Sequence, residues 1–325
     1  MADPEKVHAV RVGWGLVIHG GVGVLPPEQL TPAVDGAYRD ALTESLSRGF
    51  ETLSGGGSAT DGVVEAIKVM EDSPLFNVGR GSNLTSDGLV SMDASIMEGG
   101  TLSAGAVAGV RDVRHPIRLA RHVMDDCPHV LLAGEGAEAF AREMGMASHE
   151  PDFFFTQRRW DDLQAAKARE AQGEAKPNTV DAGDEEIRDR AGTVGAVALD
   201  REGLLVAGTS TGGSANKKWG RIGDSPIVAA GTYAGSHCGV SCTGWGEYFI
   251  RHAVAHDIQA RMAYLGVTLK EATEQVVLGT LEDHRAGLGG VVAMDRQGYV
   301  EMCFNTRGMY RGWVDEVGRV RVAIF

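Results

Sequence analysis

Apolar and polar positions along the chain follow two rhythms, and the switches between them mark its elements. The unbroken apolar run Leu16-Val17-Ile18 predicts a buried strand leading into His19-Gly20-Gly21. Val34, Tyr38, Ala41, Leu42, Leu46, Phe50 and Leu53 then recur at helical spacing until Gly55-Gly56-Gly57 stops them. Ser58 with Asp61 reads as an N-cap and acidic first turn for a helix through Val63, Ile67 and Met70. Two strands are predicted near 89–97 and 102–110, a helix near 116–125, a strand at Val130-Leu131-Leu132 and a helix near 135–144. From Thr193 the pattern becomes dense strand. Val194 to Leu199 and Leu204 to Gly208 flank a turn at Asp200 to Gly203, a hairpin signal. Strands near 226–234 and 237–243, long helices near 246–264 and 268–284, and a hairpin over 291–304 complete the reading. Strands in hairpins with helices in separate blocks predict a layered α+β architecture with helices on both faces of the sheets.

One stretch obeys neither rhythm. Residues 158–190 hold 7 basic and 9 acidic residues and few large apolar side chains after Leu163. Such a segment buries too little to offset its ordering entropy, so it reads as a mobile linker, partly helical at its start. A linker that long inside a compact protein calls for a functional reason.

Composition narrows the classes. The whole chain carries 31 Lys+Arg against 44 Asp+Glu, a net charge of −13, which argues against a basic nucleic-acid surface or attraction to an anionic membrane. The imbalance is local. Residues 1–192 hold 18 basic and 31 acidic residues, whereas 193–325 hold 13 of each. Four cysteines in 325 residues make no disulfide scaffold. The first residues, MADPEKVHAV, contain no apolar signal region, and no apolar run reaches membrane-spanning length, so a soluble cytoplasmic protein is expected. Glycine is the outlier at 45 residues, which points to sharp turns and close backbone approaches.

Several familiar chemistries find no support. Gly55 to Gly62 lacks the Lys-Ser/Thr ending of a phosphate loop, and Lys217-Lys218 fall at the wrong offset after Gly212-Gly213. His252 and His256 would share a helix face, but Ala253 stands where a zinc-protease motif needs Glu and no third ligand is evident. Cys238 and Cys242 read as small buried residues. What stands out is a glycine-flanked polar series: Gly192-Thr193, Thr209-Ser210-Thr211-Gly212-Gly213, Gly220 to Pro226, and Cys242-Thr243-Gly244-Trp245-Gly246-Glu247. By spacing alone these are equally tight turns between strands. Turns do not explain why a threonine opens a buried strand directly after a floppy linker.

That series, with Gly192 to Asp200, resembles the isoaspartyl peptidase/L-asparaginase family, the plant-type asparaginases, which are threonine-type N-terminal-nucleophile hydrolases. Ile18-His19-Gly20-Gly21, Pro74 to Gly79, Met92-Asp93-Ala94-Ser95, Phe304-Asn305-Thr306 and Gly308 to Gly312 extend the likeness over nearly the whole chain. The resemblance implies an αββα four-layer sandwich and a precursor that cuts itself at Gly192–Thr193. An α-part, 1–192, ending in the linker 158–192, and a β-part, 193–325, would then form one globular unit. Cleavage would free the Thr193 α-amine, whose reference pKa near ~8 suits it to take the hydroxyl proton, so one residue supplies nucleophile and base.

The resemblance also assigns roles. Thr211 supports the nucleophile, Thr243 and the Gly244 N–H form the oxyanion hole, and Arg221 and Asp224, with Gly246 and Asn77, hold the α-carboxylate and ammonium of an aspartyl substrate. Met70, Glu71, Ser73, Phe76, Val78 and Arg80 lie in a loop that would hold a structural sodium ion through main-chain carbonyls; no cofactor is expected for the chemistry. The implied substrates are L-asparagine and β-aspartyl dipeptides, and the implied assembly is a homodimer of αβ units. Two departures stand out. Trp245 replaces a small polar residue and is expected to reshape the leaving-group side, and Arg80 is unusual in the sodium loop. A glycosylasparaginase, and a non-catalytic precursor that binds aspartyl ligands, are the rival readings. The absence of a signal sequence and Thr211-Gly212-Gly213 weigh against the first, and the intact Thr193, Arg221, Asp224 and Thr243 against the second.

Overall fold

The structure is a computed structural model that describes residues 10–25, 29–173, 192–282 and 288–325. Its strands form two sheets. The larger has eight strands in the order β13-β12-β2-β6-β7-β3-β4-β5, and the smaller has five in the order β1-β11-β10-β9-β8. In chain order they are β1 (Val10–Arg11), β2 (Gly15–Gly21), β3 (Met92–Glu98), β4 (Ala104–Val110), β5 (Leu131–Ala133), β6 (Val194–Leu199) and β7 (Leu205–Thr211), then β8 (Thr232–Ala234), β9 (Cys238–Gly244), β10 (Gly289–Asp295), β11 (Tyr299–Phe304), β12 (Tyr310–Val314) and β13 (Val320–Ala323). Neighbouring strands are antiparallel except β4 and β5.

The unbroken apolar runs have a direct cause: the central strands bury both faces. On β2, Leu16 and Ile18 join a core with helices α1 (Pro32–Ser54), α2 (Ala59–Asp72) and α3 (Pro116–Asp126), whereas Val17 joins a core between the sheets with Val197, Ala207 and Val292. A third core lies between the smaller sheet and helices α7 (Gly246–His252), α8 (Val254–Leu265) and α9 (Leu269–Glu274). The remaining helices are α4 (Gly134–Glu143), α5 (Pro151–Phe154) and α6 (Gln157–Ala171). Helices thus flank both sheets, as expected for an α+β fold. No helix among the described residues is long and apolar enough to cross a membrane.

Helix starts follow the local chemistry. Ser58 caps α2 in a capping box with Asp61, and Asp200 reaches across from the β6–β7 turn to accept the Ala59 N–H at 2.9 Å.

The helical start expected for the stretch from 158 is the ordered helix α6, because Thr156 caps it and Arg159 and Leu163 bury on one face. Residues 174–191, the rest of the expected linker, lie outside the described residues. The helix expected over 246–264 breaks at Ala253, which adopts a left-handed conformation with φ 48°. The break frees the first N–H groups of α8, and those of Ala255 and His256 donate to the carbonyls of Ala230 and Ala229 at 3.1 and 2.9 Å. It also separates His252 from His256 onto different helices, and His256 packs edge-on against Tyr233. The last expected helix continues from α9 as a π-helical turn over Gln275–Thr280. The strand expected near 226–234 shrinks to β8, since Ile227 N–H and Ala230 N–H close turns on Asp224 O and Ile227 O.

Candidate active site

Thr193 sits at the entry to β6, which runs between β2 and β7 in the middle of the larger sheet. It is buried, and its hydroxyl donates to Thr211 Oγ at 3.0 Å. Thr211, at the end of β7, also accepts the Gly213 N–H at 3.0 Å. Two threonines far apart in sequence therefore meet because β6 and β7 pair as a hairpin, with Val194 opposite Ser210.

Gly192 precedes Thr193 with φ 126°, a conformation that favours glycine. A Cβ there would lie 2.7 Å from Asn77 Cβ, and Gly21 crowds it from the other side. The Asn77 N–H donates to the Gly192 carbonyl at 3.3 Å. The Asn77 side chain donates to Gly213 O at 2.7 Å and accepts from Asn83 N–H at 2.7 Å. Asn77, expected near the substrate, is also built into the scaffold of the Gly192–Thr193 bond.

Thr243 lies near the end of β9, and its Oγ is buried with no hydrogen-bond partner among the described residues. Gly244 follows it, and a Cβ there would meet Leu288 O at 2.6 Å and Phe249 at 2.7 Å. The Trp245 indole is 1% exposed, lies in the helix-side core and packs edge-on against Tyr248 at 5.3 Å.

Arg221 and Asp224 both flank Gly246. A Cβ on Gly246 would lie 2.7 Å from Asp224 Oδ1 and 3.1 Å from Arg221 Nη2. Arg221 makes a two-pronged bond with Glu247, through Nε at 3.0 Å and Nη2 at 2.9 Å. Glu247 thus holds the side edge of the guanidinium, a role the sequence pattern did not single out. Asp224 is buried, with Oδ2 unpartnered among the described residues. Burial pushes its pKa up to about 7, with Arg221 opposing the shift. Behind the loop, Lys217 Nζ reaches Ser91 O at 2.5 Å and lies 3.9 Å from buried Asp93. Helix α6 is tied to the same loop, since Glu170 accepts from Lys218 at 2.5 Å and Asn216 at 2.9 Å.

The turn after α2 was expected to offer carbonyls to a cation. At Gly79 and Gly81 an added Cβ would collide with Glu71 O and Phe76 O respectively, and at Gly81 it would also lie 2.9 Å from Pro74 O. Carbonyls therefore crowd this turn, which fits a hard cation bound by main-chain oxygen. Met70 O and Val78 O already accept from Ser73 N–H and Gly81 N–H at 3.2 and 2.9 Å. Buried Glu71 turns its carboxylate away, to Ser210 Oγ and the Ile117 N–H. Arg80 is exposed. Among the described residues no group of three His, Cys, Asp or Glu side chains could hold a metal.

Sequence reading assigned no role to His19, Ser241, Thr209 and Thr232, which form a buried hydrogen-bonded chain ending on Thr193. His19 was visible only as part of a motif. Serine and threonine alternating along strands carry no signal of their own.

Comparison with known proteins identifies the family. The model of the asparaginase family matches residues 12–324. The isoaspartyl peptidase of Salmonella typhimurium is 48% identical over 299 residues, covering 92% of this chain and 94% of that protein. That of Escherichia coli is 46% identical, covering 92% of each. A plant-type L-asparaginase of Pyrococcus abyssi is 41% identical over 93% of this chain and 96% of its own. With a family match running nearly end to end and full-length relatives at such identity, this chain is an enzyme of the asparaginase family.

Proposed function

We propose that this protein is an autoprocessed amidohydrolase that cleaves β-aspartyl dipeptides and the side-chain amide of L-asparagine through a β-aspartyl ester on Thr193. The observation that carries the reading is the Thr193 hydroxyl held at 3.0 Å on Thr211, directly after a glycine whose positive φ and crowded surroundings exclude a side chain. The names of its relatives support the substrate class. In this reading the two helix-flanked sheets are the αββα sandwich of N-terminal-nucleophile hydrolases.

Maturation comes first. Thr193 Oγ attacks the Gly192 carbonyl, whose oxygen receives the Asn77 N–H, and the peptide C–N bond breaks as its nitrogen gains the hydroxyl proton. Water then hydrolyses the resulting ester, leaving a Gly192 carboxylate and a free Thr193 amine. In turnover that amine takes the Thr193 hydroxyl proton, and Oγ attacks the substrate β-carbonyl. The developing oxyanion meets Thr243 Oγ and the Gly244 N–H. The unpartnered Thr243 hydroxyl supports this role, and each such donor is typically worth about 3–4 kcal/mol. The leaving ammonia or amino acid departs with the proton, and water releases aspartate. Arg221 offers its end-on edge to the substrate α-carboxylate while Glu247 keeps the side edge, and Asp224 pairs with the ammonium beside Gly246. A sodium ion on the carbonyls of the 70–80 turn, principally Glu71 and Phe76, would stiffen the strut that carries Asn77. Two αβ units would assemble as a homodimer.

The test compares parent and Thr193→Ala protein on L-asparagine and a β-aspartyl dipeptide. The parent is expected to release aspartate from both, and on rapid denaturation to carry an aspartyl adduct on Thr193. The variant is expected to stay uncut and inactive. Normal turnover by Thr193→Ala refutes the proposal.

A further inference from the structure

At one end of the core between the sheets, a file of hydrogen-bonded side chains crosses from sheet to sheet four times. Ser95 on β3 donates to Ser225 O at 2.6 Å and lies 2.8 Å from Thr232 on β8, Thr232 donates to Thr209 on β7 at 2.5 Å, and Thr209 meets Ser241 on β9 at 2.7 Å. Ser241 meets Nε2 of His19 on β2 at 2.9 Å, and Nδ1 of His19 meets the carbonyl oxygen of Thr193 at 3.0 Å. All five members are fully buried.

Donor and acceptor chemistry gives the file a direction. A carbonyl only accepts, so Nδ1 must carry the ring proton. Burial drives the His19 pKa down to about 3, so the ring is neutral and Nε2 is an acceptor. Ser241 therefore donates to Nε2, which leaves its oxygen to accept from Thr209 at 2.7 Å, nearer than the other acceptor of the Thr209 proton, Gly231 O at 3.1 Å, and Thr209 in turn accepts from Thr232. Every hydroxyl between β8 and His19 points its proton toward the Thr193 carbonyl. One residue is removed to make room. Gly195 pairs with both His19 and Thr209, and a Cβ on it would lie 2.5 Å from His19 Nε2 and overlap Ser241 Oγ.

We propose that His19 is a positioning residue that aims the Thr193 amine, by holding the Thr193 carbonyl in a tautomer set by the Thr232–Thr209–Ser241 file. The inference rests on Thr193 acting as nucleophile and base. Its logic is geometric. The Thr193 Cα carries three heavy substituents; Thr211 holds the one ending in the hydroxyl, and His19 holds the carbonyl. With those two fixed, tetrahedral geometry dictates where the nitrogen points. The amine then needs no partner of its own to keep its aim after cleavage, and displacements of about 1 Å in such groups cost on the order of 10²-fold in rate.

Two substitutions separate this from a filling role. In His19→Asn the short amide can put an N–H where Nδ1 was. In His19→Gln the longer arm reaches Ser241 and leaves the carbonyl without a donor. With rates counted per Thr193 amine released, as measured by mass spectrometry, His19→Gln is expected to lower kcat roughly 10²-fold with little change in KM, and His19→Asn to recover most of it. Ring-nitrogen NMR of the parent enzyme is expected to show His19 protonated at Nδ1 and bare at Nε2 across neutral pH, a readout that holds even if a variant misfolds. A proton on Nε2, or equal kcat losses in the two variants, overturns the proposal. If parent protein turns over neither L-asparagine nor a β-aspartyl dipeptide, the functional reading fails instead, while the NMR result still reports on the file.

Discussion

Asp224 carries a consequence that a pH titration can read. Burial holds its carboxyl near pH 7, so it is neutral on the acid side and charged above. Only the charged form pairs with a substrate ammonium. KM is therefore expected to rise as pH falls below about 7, and Asp224→Asn is expected to raise KM and flatten that limb. A KM that stays level from pH 8 to pH 5, in parent protein that remains folded, would contradict the role. At this scale the sequence was most informative where polar residues interrupt dense strand text. Thr193, Thr211, Thr243, Arg221 and Asp224 were all visible as a glycine-flanked series. Glu247 and Thr209 stood in that series without a role, and the rest of the His19 file stood outside it, because their meaning lies in partners from distant strands. The same distance explains Trp245, whose slot between two glycines gave no hint that its indole turns toward the helices.

Among the elements, the strongest periodic signals correspond to α1, α2 and the β6–β7 hairpin. Boundaries failed where tertiary contacts override local preference. Ala253 lies inside a continuous apolar pattern, yet the chain breaks there so that α8 can offer its first N–H groups to Ala229 and Ala230, just beyond the Asp224 turn. A left-handed alanine is strained by about 1 kcal/mol, which glycine would relieve. Ala253→Gly is accordingly expected to raise the stability of the folded protein by roughly 0.5–1 kcal/mol, less its own entropy, and Ala253→Val to lower it by at least as much. Denaturant midpoints with unchanged slope measure both. A more stable valine variant would show that the break is not built on left-handed backbone. Helix α6 was legible only as a helical start to the charged stretch; Arg159 reaches Gly81 O at 2.6 Å, a buried contact that a polar composition conceals.

For the molecule as a whole, the two segments expected from cleavage cannot be separate domains. β6 pairs with β2, β7 pairs with β3, and all four lie in one sheet. The acidic first segment and the charge-balanced second one share all of that pairing, and the layered α+β class was legible because blocks of strands and helices alternate along the chain. The crossing of the polar file between sheets was not, since it depends on how the two sheets stack. The fragments are therefore expected to remain together under native conditions and to part only in denaturant. The central claim rests on the Gly192–Thr193 bond, and the direct measurement is the mass and N-terminal sequence of purified, denatured protein. Two fragments are expected, the second beginning Thr193-Val194-Gly195. A single 34.4 kDa chain that nonetheless hydrolyses L-asparagine, or a cut at any other bond, would contradict the account.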